Sequence, residues 1–188
     1  MNKLLVLILA AILVVSTGCT SVPLSTIAKM STFDWQDFNA LNASELEVQI
    51  TIPQGFKLNI DNSWLGVDIG SDNNHHSGRF LLKSLEVVKT YKDIGLFHDD
   101  AAVTRYTLAL ADASLLDFKR LQDYLSTHKA KDVAIRVVPK IKKYPHDLDK
   151  IQIWIDLKLS QKEGYFTLID GADLSLENLN NNHSEDHR

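Results

Sequence analysis

Hydrophobic and polar residues alternate through most of the middle of the chain. Apolar residues at every second position predict a strand from Glu45 to Ile52, and the clearest alternation covers residues 151–159. Successive side chains of a strand point to opposite faces, so this period of two indicates sheets with one buried face. The same reasoning predicts further strands at residues 56–60, 64–69, 79–91, 102–110, 133–142 and 165–169.

Two segments have the period of a helix instead. Trp35 and Phe38 lie one turn apart and predict a short N-terminal helix that packs against the core by its aromatic side. Residues 112–127 predict a longer amphipathic helix, with Asp112 or Ser114 as its N-cap.

Together these elements predict an α+β fold. We expect mainly an antiparallel β-sheet or sandwich of about eight strands, with one inserted amphipathic helix and the short N-terminal helix. Residues 80–82 are apolar on both faces, which favours a central strand or one covered by the helix. Pro139 cannot donate to a ladder, so its strand should lie at an edge or contain a bulge.

The N-terminus has neither pattern. Lys3 precedes an unbroken apolar run from Leu4 to Val15, and Ser16-Thr17-Gly18-Cys19 follows. A helix of that length spans roughly 18 Å, well short of the ~30 Å hydrocarbon core of a bilayer. The run is therefore interpreted as a secretory signal peptide, not as a transmembrane helix.

The end of this run resembles the lipobox of bacterial lipoproteins. Gly18-Cys19 fits that motif and Thr17 is acceptable, whereas Ser16 stands where the family usually has Leu or another branched apolar residue. The resemblance implies cleavage before Cys19, a diacylglyceryl thioether on its sulfur and acylation of the new N-terminus; two or more chains hold firmly to a membrane. Family members with Asp after the Cys tend to stay in the inner membrane, so Thr20 favours the outer membrane.

These features divide the chain into four parts. We expect a signal peptide at 1–18, the lipidated Cys and a tether at 19–32, a single β-rich periplasmic domain at 33–177 and a disordered polar tail at 178–188. The 170 residues left after cleavage (188 minus 18) suffice for one domain with a hydrophobic core.

Composition excludes several functions. The formal net charge is −4, with 24 acidic against 20 basic residues, which gives no footprint for nucleic acid. Cys19 is the only cysteine, so its lipidation leaves no thiol for disulfides, thiol catalysis or Cys-based metal sites. Motifs for serine hydrolases, zinc proteases, P-loops and dinucleotide binding are absent from the sequence.

Histidines are the best candidates for chemistry. His75 and His76, near Asp68 and Asp72, could bind a metal ion if the loop curls; otherwise they belong to a solvated turn. His98 lies beside Asp99 and Asp100 and could act as a general base oriented by a carboxylate. Alternatively, the three residues belong to an ordinary polar loop. The polar tail carries three further residues that could bind a metal ion loosely, but a disordered tail offers no preorganised ligand geometry: His183, Asp186 and His187. No catalytic, cofactor-binding or metal-binding residue is assigned on these signals.

One predicted strand pair has an unusual polar face. Arg136, Lys140 and Lys142 could dock an acidic partner or lipid headgroups, or form a solvated face that is partly neutralised by Asp156. Trp154 falls on the side that the alternation makes polar. It could lie under lysine stems, under the helix or against a partner.

The sequence favours a non-enzymatic envelope lipoprotein that acts through contacts with an unidentified protein partner. A binding module for a small or lipidic ligand, held between sheet and helix, is the first alternative. A hydrolase-type enzyme with a site that is not apparent from the sequence is the second, with His98 as its candidate residue.

Overall fold

A computed structural model describes five parts of the chain: residues 21–70, 75–95, 99–128, 132–145 and 148–176. The predicted signal peptide, Cys19 and the polar tail lie outside them. The α+β fold expected from the sequence is confirmed, because one curled antiparallel sheet of seven strands carries most of the described chain. Within these parts, no helix has the length and apolar character needed to cross a membrane.

Helices and strands follow one another along the chain as α1 Leu24–Ser31, α2 Trp35–Ala40, β1 Glu47–Pro53, β2 Lys57–Leu58, β3 Trp64–Gly70, β4 His75–Lys92, β5 Ala101–Leu110, α3 Asp112–Thr127, β6 Asp132–Val138, β7 Ile141–Lys143, β8 Lys150–Lys158 and β9 Tyr165–Ser175. Single 3-10 turns at Ala43–Glu45 and Ile60–Asn62 precede β1 and β3.

The main sheet has the order β6-β3-β4-β5-β1-β8-β9, and every neighbouring pair is antiparallel. Strand β4 connects its two parts: residues up to Leu81 pair with β3, and residues from Leu82 pair with β5. A bulge between Ser84 and Glu86 interrupts the second ladder. Bulges bend a strand and increase its twist, which accounts for the curl of the sheet at this point.

The core lies on the inner face of the sheet, under α2 and α3. Phe118 of α3 is fully buried, with its ring centroid 4.8 Å from that of Phe38 and 5.1 Å from that of Phe80. Ile50 of β1 and Ile155 of β8, opposite each other in register, extend this core beneath the sheet. Both predicted helices therefore dock by the apolar stripes that the sequence indicated.

The N-terminus of α2 is capped by side chains, whereas that of α3 is not. Helix α2 begins with a capping box in which Asp34 accepts from the backbone of Asp37 and Asp37 accepts from that of Asp34. The predicted N-caps of α3 are wrong, because Ala111 takes that position without a side-chain bond. Asp112 instead pairs with Lys83 of β4 at 2.5 Å.

One polar residue of α3 is buried in the fold. Gln122 is 7% exposed, and its amide nitrogen donates to the carbonyls of Phe38 and Leu41 at 3.0 and 2.9 Å. The Phe38 carbonyl also accepts from the backbone N–H of Leu41 at 3.2 Å, so Gln122 is a second donor at the C-terminal end of α2. Gln122 thus joins the two helices.

The segment read as a tether is partly ordered, since residues 24–31 form helix α1. Its one buried side chain is Thr26, whose hydroxyl donates to the carbonyl of Thr167 on β9. Lys29 pairs with Glu163 at 2.5 Å, in the turn before the same strand. Leu24 and Ile27 lie one turn apart on this helix, so a helical spacing is present in the sequence, but both side chains are exposed and the spacing was not recognised as a helix.

Four predicted strands have different bounds, among them the last one, which was expected at 165–169 and extends to Ser175 as β9. The strand expected at 56–60 is reduced to β2, and residues 75–78, predicted as part of a polar loop, begin β4. The strand expected at 133–142 divides at Pro139 into β6 and β7, which belong to different ladders. The prediction for Pro139 is confirmed, because β6 ends just before it and is the edge strand of the main sheet.

Candidate functional site

A groove of about 500 Å³ lies beside the β4–β5 ribbon, the paired part of these strands at residues 82–92 and 101–110. This volume falls within the range of about 300–1,000 Å³ that is typical of small-molecule sites. Its walls come from the turn after β1, from both strands of the β2–β7 ladder and from the ribbon: Gln54, Gly55, Phe56, Lys57, Val87, Lys89, Thr104, Tyr106 and Lys143.

The ribbon wall is set by strand register. Val87 lies opposite Tyr106 and Lys89 lies opposite Thr104, so all four side chains point to one side of the ribbon. Tyr106 is 6% exposed and its phenol oxygen accepts from the backbone N–H of Leu58 at 3.5 Å. That bond connects the ribbon to β2 across the base of the groove.

The turn after β1 closes one end. Gly55 has φ +100°, a left-handed backbone conformation that glycine adopts at no steric cost. The N–H of Gln54 donates to the carbonyl of Ala102 at 2.9 Å, and that of Phe56 donates to Pro53 at 3.3 Å. These two bonds close the turn and attach it to the start of β5.

Three lysines give the groove its charge. Lys57 of β2 lies directly opposite Lys143 of β7, and Lys89 approaches from the ribbon. Within the described parts of the chain, none of the three makes an ion pair, and no acidic residue lines the groove. Like charges directly opposite each other in a ladder are destabilising. The groove therefore presents concentrated positive charge beside the apolar side chains of Phe56 and Val87.

Both histidines of the predicted pair, His75 and His76, lie in strand β4, and the side chain of His76 contacts helix α3. The ring of His76 contacts Tyr124 of α3 with centroids 4.6 Å apart. Tyr124 also bonds to a ring nitrogen of His76 at 2.7 Å and stacks on His128 at 4.2 Å. His76 thus takes part in an aromatic contact between β4 and α3.

Asp68, one of the carboxylates predicted near the histidine pair, binds an arginine instead. Asp68 pairs with Arg136 of β6 at 3.2 Å, while Asp72 and His98 lie outside the described residues. Asp99 and Asp100 are exposed. Among the residues with described positions, no group of three or more His, Cys, Asp or Glu could hold a metal ion. The candidate ligands His183, Asp186 and His187 also fall outside the described residues.

The basic residues predicted to share a face are separated. The guanidinium of Arg136 lies 5.1 Å from the ring of Trp64, on the outside of the main sheet. Lys140 is buried, and this burial, followed by the nearby charge of Arg79, lowers its pKa. Lys142 is exposed on β7. Arg136 belongs to the β3–β6 ladder and Lys142 to the β2–β7 ladder, and Lys140 lies between the two strands, so the interpretation of one continuous basic strand face is wrong.

Trp154 lies under a lysine, as one of the sequence interpretations held. It is 4% exposed, and the ammonium of Lys92 lies 5.5 Å from its ring. Opposite Trp154 in register is Thr51, which is also buried. The outer face of the sheet is locally covered here, and Trp154 is not available to a partner.

A second polar cluster joins β1, β8 and β9. Lys158 pairs with Glu47 at 2.5 Å, and the hydroxyl of Tyr165 donates to the other carboxylate oxygen of Glu47. Burial by itself would raise the pKa of Glu47, but the bonds from Lys158 and Tyr165 outweigh it and lower that pKa. Burial and then the adjacent Glu47 raise the pKa of Tyr165. This cluster stabilises strand pairing and holds its charges in place.

The fold and the groove define an α+β domain built on one curled antiparallel sheet, with a lysine-lined groove beside it. No protein-family model, curated protein or solved structure matches the chain. Its function is therefore inferred from its own residues.

Proposed function

We propose that this chain is a lipid-anchored, non-enzymatic protein of the cell envelope, which faces the periplasm from the outer membrane and acts by binding another envelope protein. The observation that carries the proposal is an exposed apolar edge strand on a chain whose only cysteine completes a lipobox-like sequence. The anchor supplies the location, and the edge strand supplies the contact.

The position of α1 fits an anchor at Cys19. Leu24 is five residues further on, a span of at most about 18 Å for an extended chain, so α1 would lie close to the bilayer. Leu24 is 82% exposed and Ile27, one turn later, is 49% exposed. Apolar residues on a helix next to acyl chains favour the membrane interface. The side of the domain that carries α1 and β9 would then face the membrane.

The proposed contact surface is the free edge of β4. Residues 82–92 pair with β5 on one side only, as far as the described strands extend. Leu85 and Val88 are 52% and 39% exposed, and Tyr91 is 70% exposed. An exposed edge offers unpaired backbone groups to which an extended segment of another protein can add as a further strand.

The charges along this edge select against self-association. Lys83, Lys89 and Lys92 are interspersed with the apolar residues, and lysines on an edge strand oppose pairing between copies of one chain. A partner segment that alternates acidic and apolar residues would pair with both kinds of side chain.

The contact can be tested by photo-crosslinking in cells. A photoreactive amino acid at Leu85 or Val88 of the full-length protein should give one adduct of defined mass. The same amino acid at Leu116, an equally exposed apolar residue of α3, is the matched control and should give none. Absence of an adduct at the β4 sites, or equal adducts at all three sites, would refute the proposed contact.

The anchor is tested independently. Mass spectrometry of the purified protein should detect acyl chains on Cys19, and Cys19→Ser should lose its place in the outer-membrane fraction. An unmodified thiol, or identical fractionation of both forms, would refute the lipoprotein assignment without bearing on the β4 contact.

A further inference from the structure

We propose that the groove between the β2–β7 ladder and the β4–β5 ribbon binds a small amphiphilic anion, a molecule that joins a phosphate or carboxylate group to an apolar body. The site is independent of the lipid anchor. It also lies away from the place between sheet and helix where the sequence suggested a ligand.

Charge is the first reason. The chain as a whole is acidic, with a net charge of −4, so its general field does not attract anions. Lys57, Lys89 and Lys143 nevertheless meet at one groove, and no acidic residue stands among the lining residues in the described parts of the chain. The positive potential there is local, as in a site that selects a small anion.

Strand register is the second reason. Lys57 and Lys143 are cross-strand neighbours, and two ammonium groups opposite each other repel. Ion pairs within the described residues do not relieve this repulsion. An anion held between the two ammonium groups would turn a repulsive contact into two attractive ones. Ligand binding should therefore stabilise the β2–β7 ladder.

Apolar surface is the third reason, and it distinguishes this ligand from a simple ion. Val87 is 50% exposed on the groove wall, although it faces the same side of the ribbon as the buried Tyr106. The Tyr106 oxygen accepts from Leu58, so the phenol keeps its own proton as a donor. A ligand with an apolar body would cover Val87 while its acidic group reached the lysines.

A second pair of cationic side chains lies on the main sheet, but part of its charge is already compensated. Arg79 and Arg136 flank the ring of Trp64, at 5.0 and 5.1 Å from its centroid. Arg136 already pairs with Asp68, so its charge is partly compensated within the fold.

Isothermal titration of the full-length protein in a neutral maltoside detergent tests the site. Phenyl phosphate should bind saturably to one site, about tenfold more tightly than inorganic phosphate, because the ring adds apolar contact area. Lys57→Gln, Lys89→Gln and Lys143→Gln should each weaken binding about three- to fivefold, as expected for partly exposed charges. Lys142→Gln, which removes the same charge from the adjacent residue outside the groove lining, should leave the affinity unchanged.

A second measurement does not depend on ligand affinity alone. Lys143→Glu should raise the Tm of the ligand-free protein by about 1–3 °C, because a repulsive cross-strand pair becomes attractive, and should abolish phenyl phosphate binding. A groove whose residues served only to stabilise the fold would not place two lysines opposite each other, because their repulsion destabilises the β2–β7 ladder.

The source of the anion is decided by competition. Nanodiscs that contain anionic phospholipid should displace phenyl phosphate if the natural ligand is a lipid headgroup, with phosphatidylcholine nanodiscs as the control. No displacement would assign the site to a free small molecule. The proposal is overturned if the wild type gives no saturable binding, if Lys142→Gln weakens binding as much as the groove variants, or if Lys143→Glu lowers the Tm.

Discussion

Substitution of Lys158 by Met should destabilise the domain through Glu47. The two side chains pair at 2.5 Å and are 9% and 17% exposed. Removal of one partner of a fully buried pair costs about 3–5 kcal/mol, because it leaves an uncompensated charge. Glu47 keeps some solvent contact and the bond from Tyr165, so we expect about 2–3 kcal/mol. For a domain of this size, the Tm should fall by about 4–10 °C.

The loss should depend on pH in a defined direction. The pKa of Glu47 in the folded protein is lowered from its ordinary value of 4.5. A lowered pKa adds stability that is present in full above the unfolded value and is lost as the pH falls through the folded value. The variant lacks the ammonium that lowers this pKa, so wild type and variant should differ more at pH 7 than at about pH 3.5.

Urea denaturation of both proteins at the two pH values measures these differences. Lys119→Met is the matched control, because Lys119 pairs with Asp123 at 2.9 Å but both side chains are more than half exposed. Exposed pairs contribute about 0–1 kcal/mol, so its effect should be small at either pH. The reasoning about Lys158 would be refuted by a loss below about 0.5 kcal/mol or by one that is the same at both pH values.

Three further substitutions test the packing. Gln122→Ala should cost about 1–2 kcal/mol in urea denaturation, since it removes the amide that donates to the carbonyls of Phe38 and Leu41; a loss within error would contradict the role given to this amide. Phe118→Ala should cost about 3–5 kcal/mol by the same assay, and a cost near 1 kcal/mol would mean that its ring is not the centre of the core. Gly66→Ala would place a Cβ 2.6 Å from the Trp64 ring and 2.8 Å from Arg136, so the indole should move outward and its fluorescence shift to the red. An unchanged emission spectrum would show that the ring need not move.

The candidate site illustrates what could not be predicted from the sequence. Lys57, Lys89 and Lys143 each stand in a segment whose own pattern indicates an ordinary solvated strand face. The basic residues that the sequence did single out are close along the chain but do not line the groove: Arg136, Lys140 and Lys142. Sequence proximity was therefore a poor guide to which charges meet.

Periodicity by itself determined most of the secondary structure. A period of two marks a strand because alternate side chains must face one core, and a period near 3.6 marks a helix for the same reason. These local rules located β1, β5, β8 and α3 within a residue or two of their observed bounds. They failed for α1, whose only buried residue is Thr26.

Tertiary structure decided which strands are neighbours and in what register. Nothing in the pattern of β2 specifies β7 as its partner, yet this pairing places Lys57 opposite Lys143 and forms one wall of the groove. Burial of Gln122 likewise depends on carbonyls that another helix brings within reach. Hydrophobic patterning determines the face on which a residue lies, whereas the contacts that face makes depend on long-range pairing that no single segment encodes.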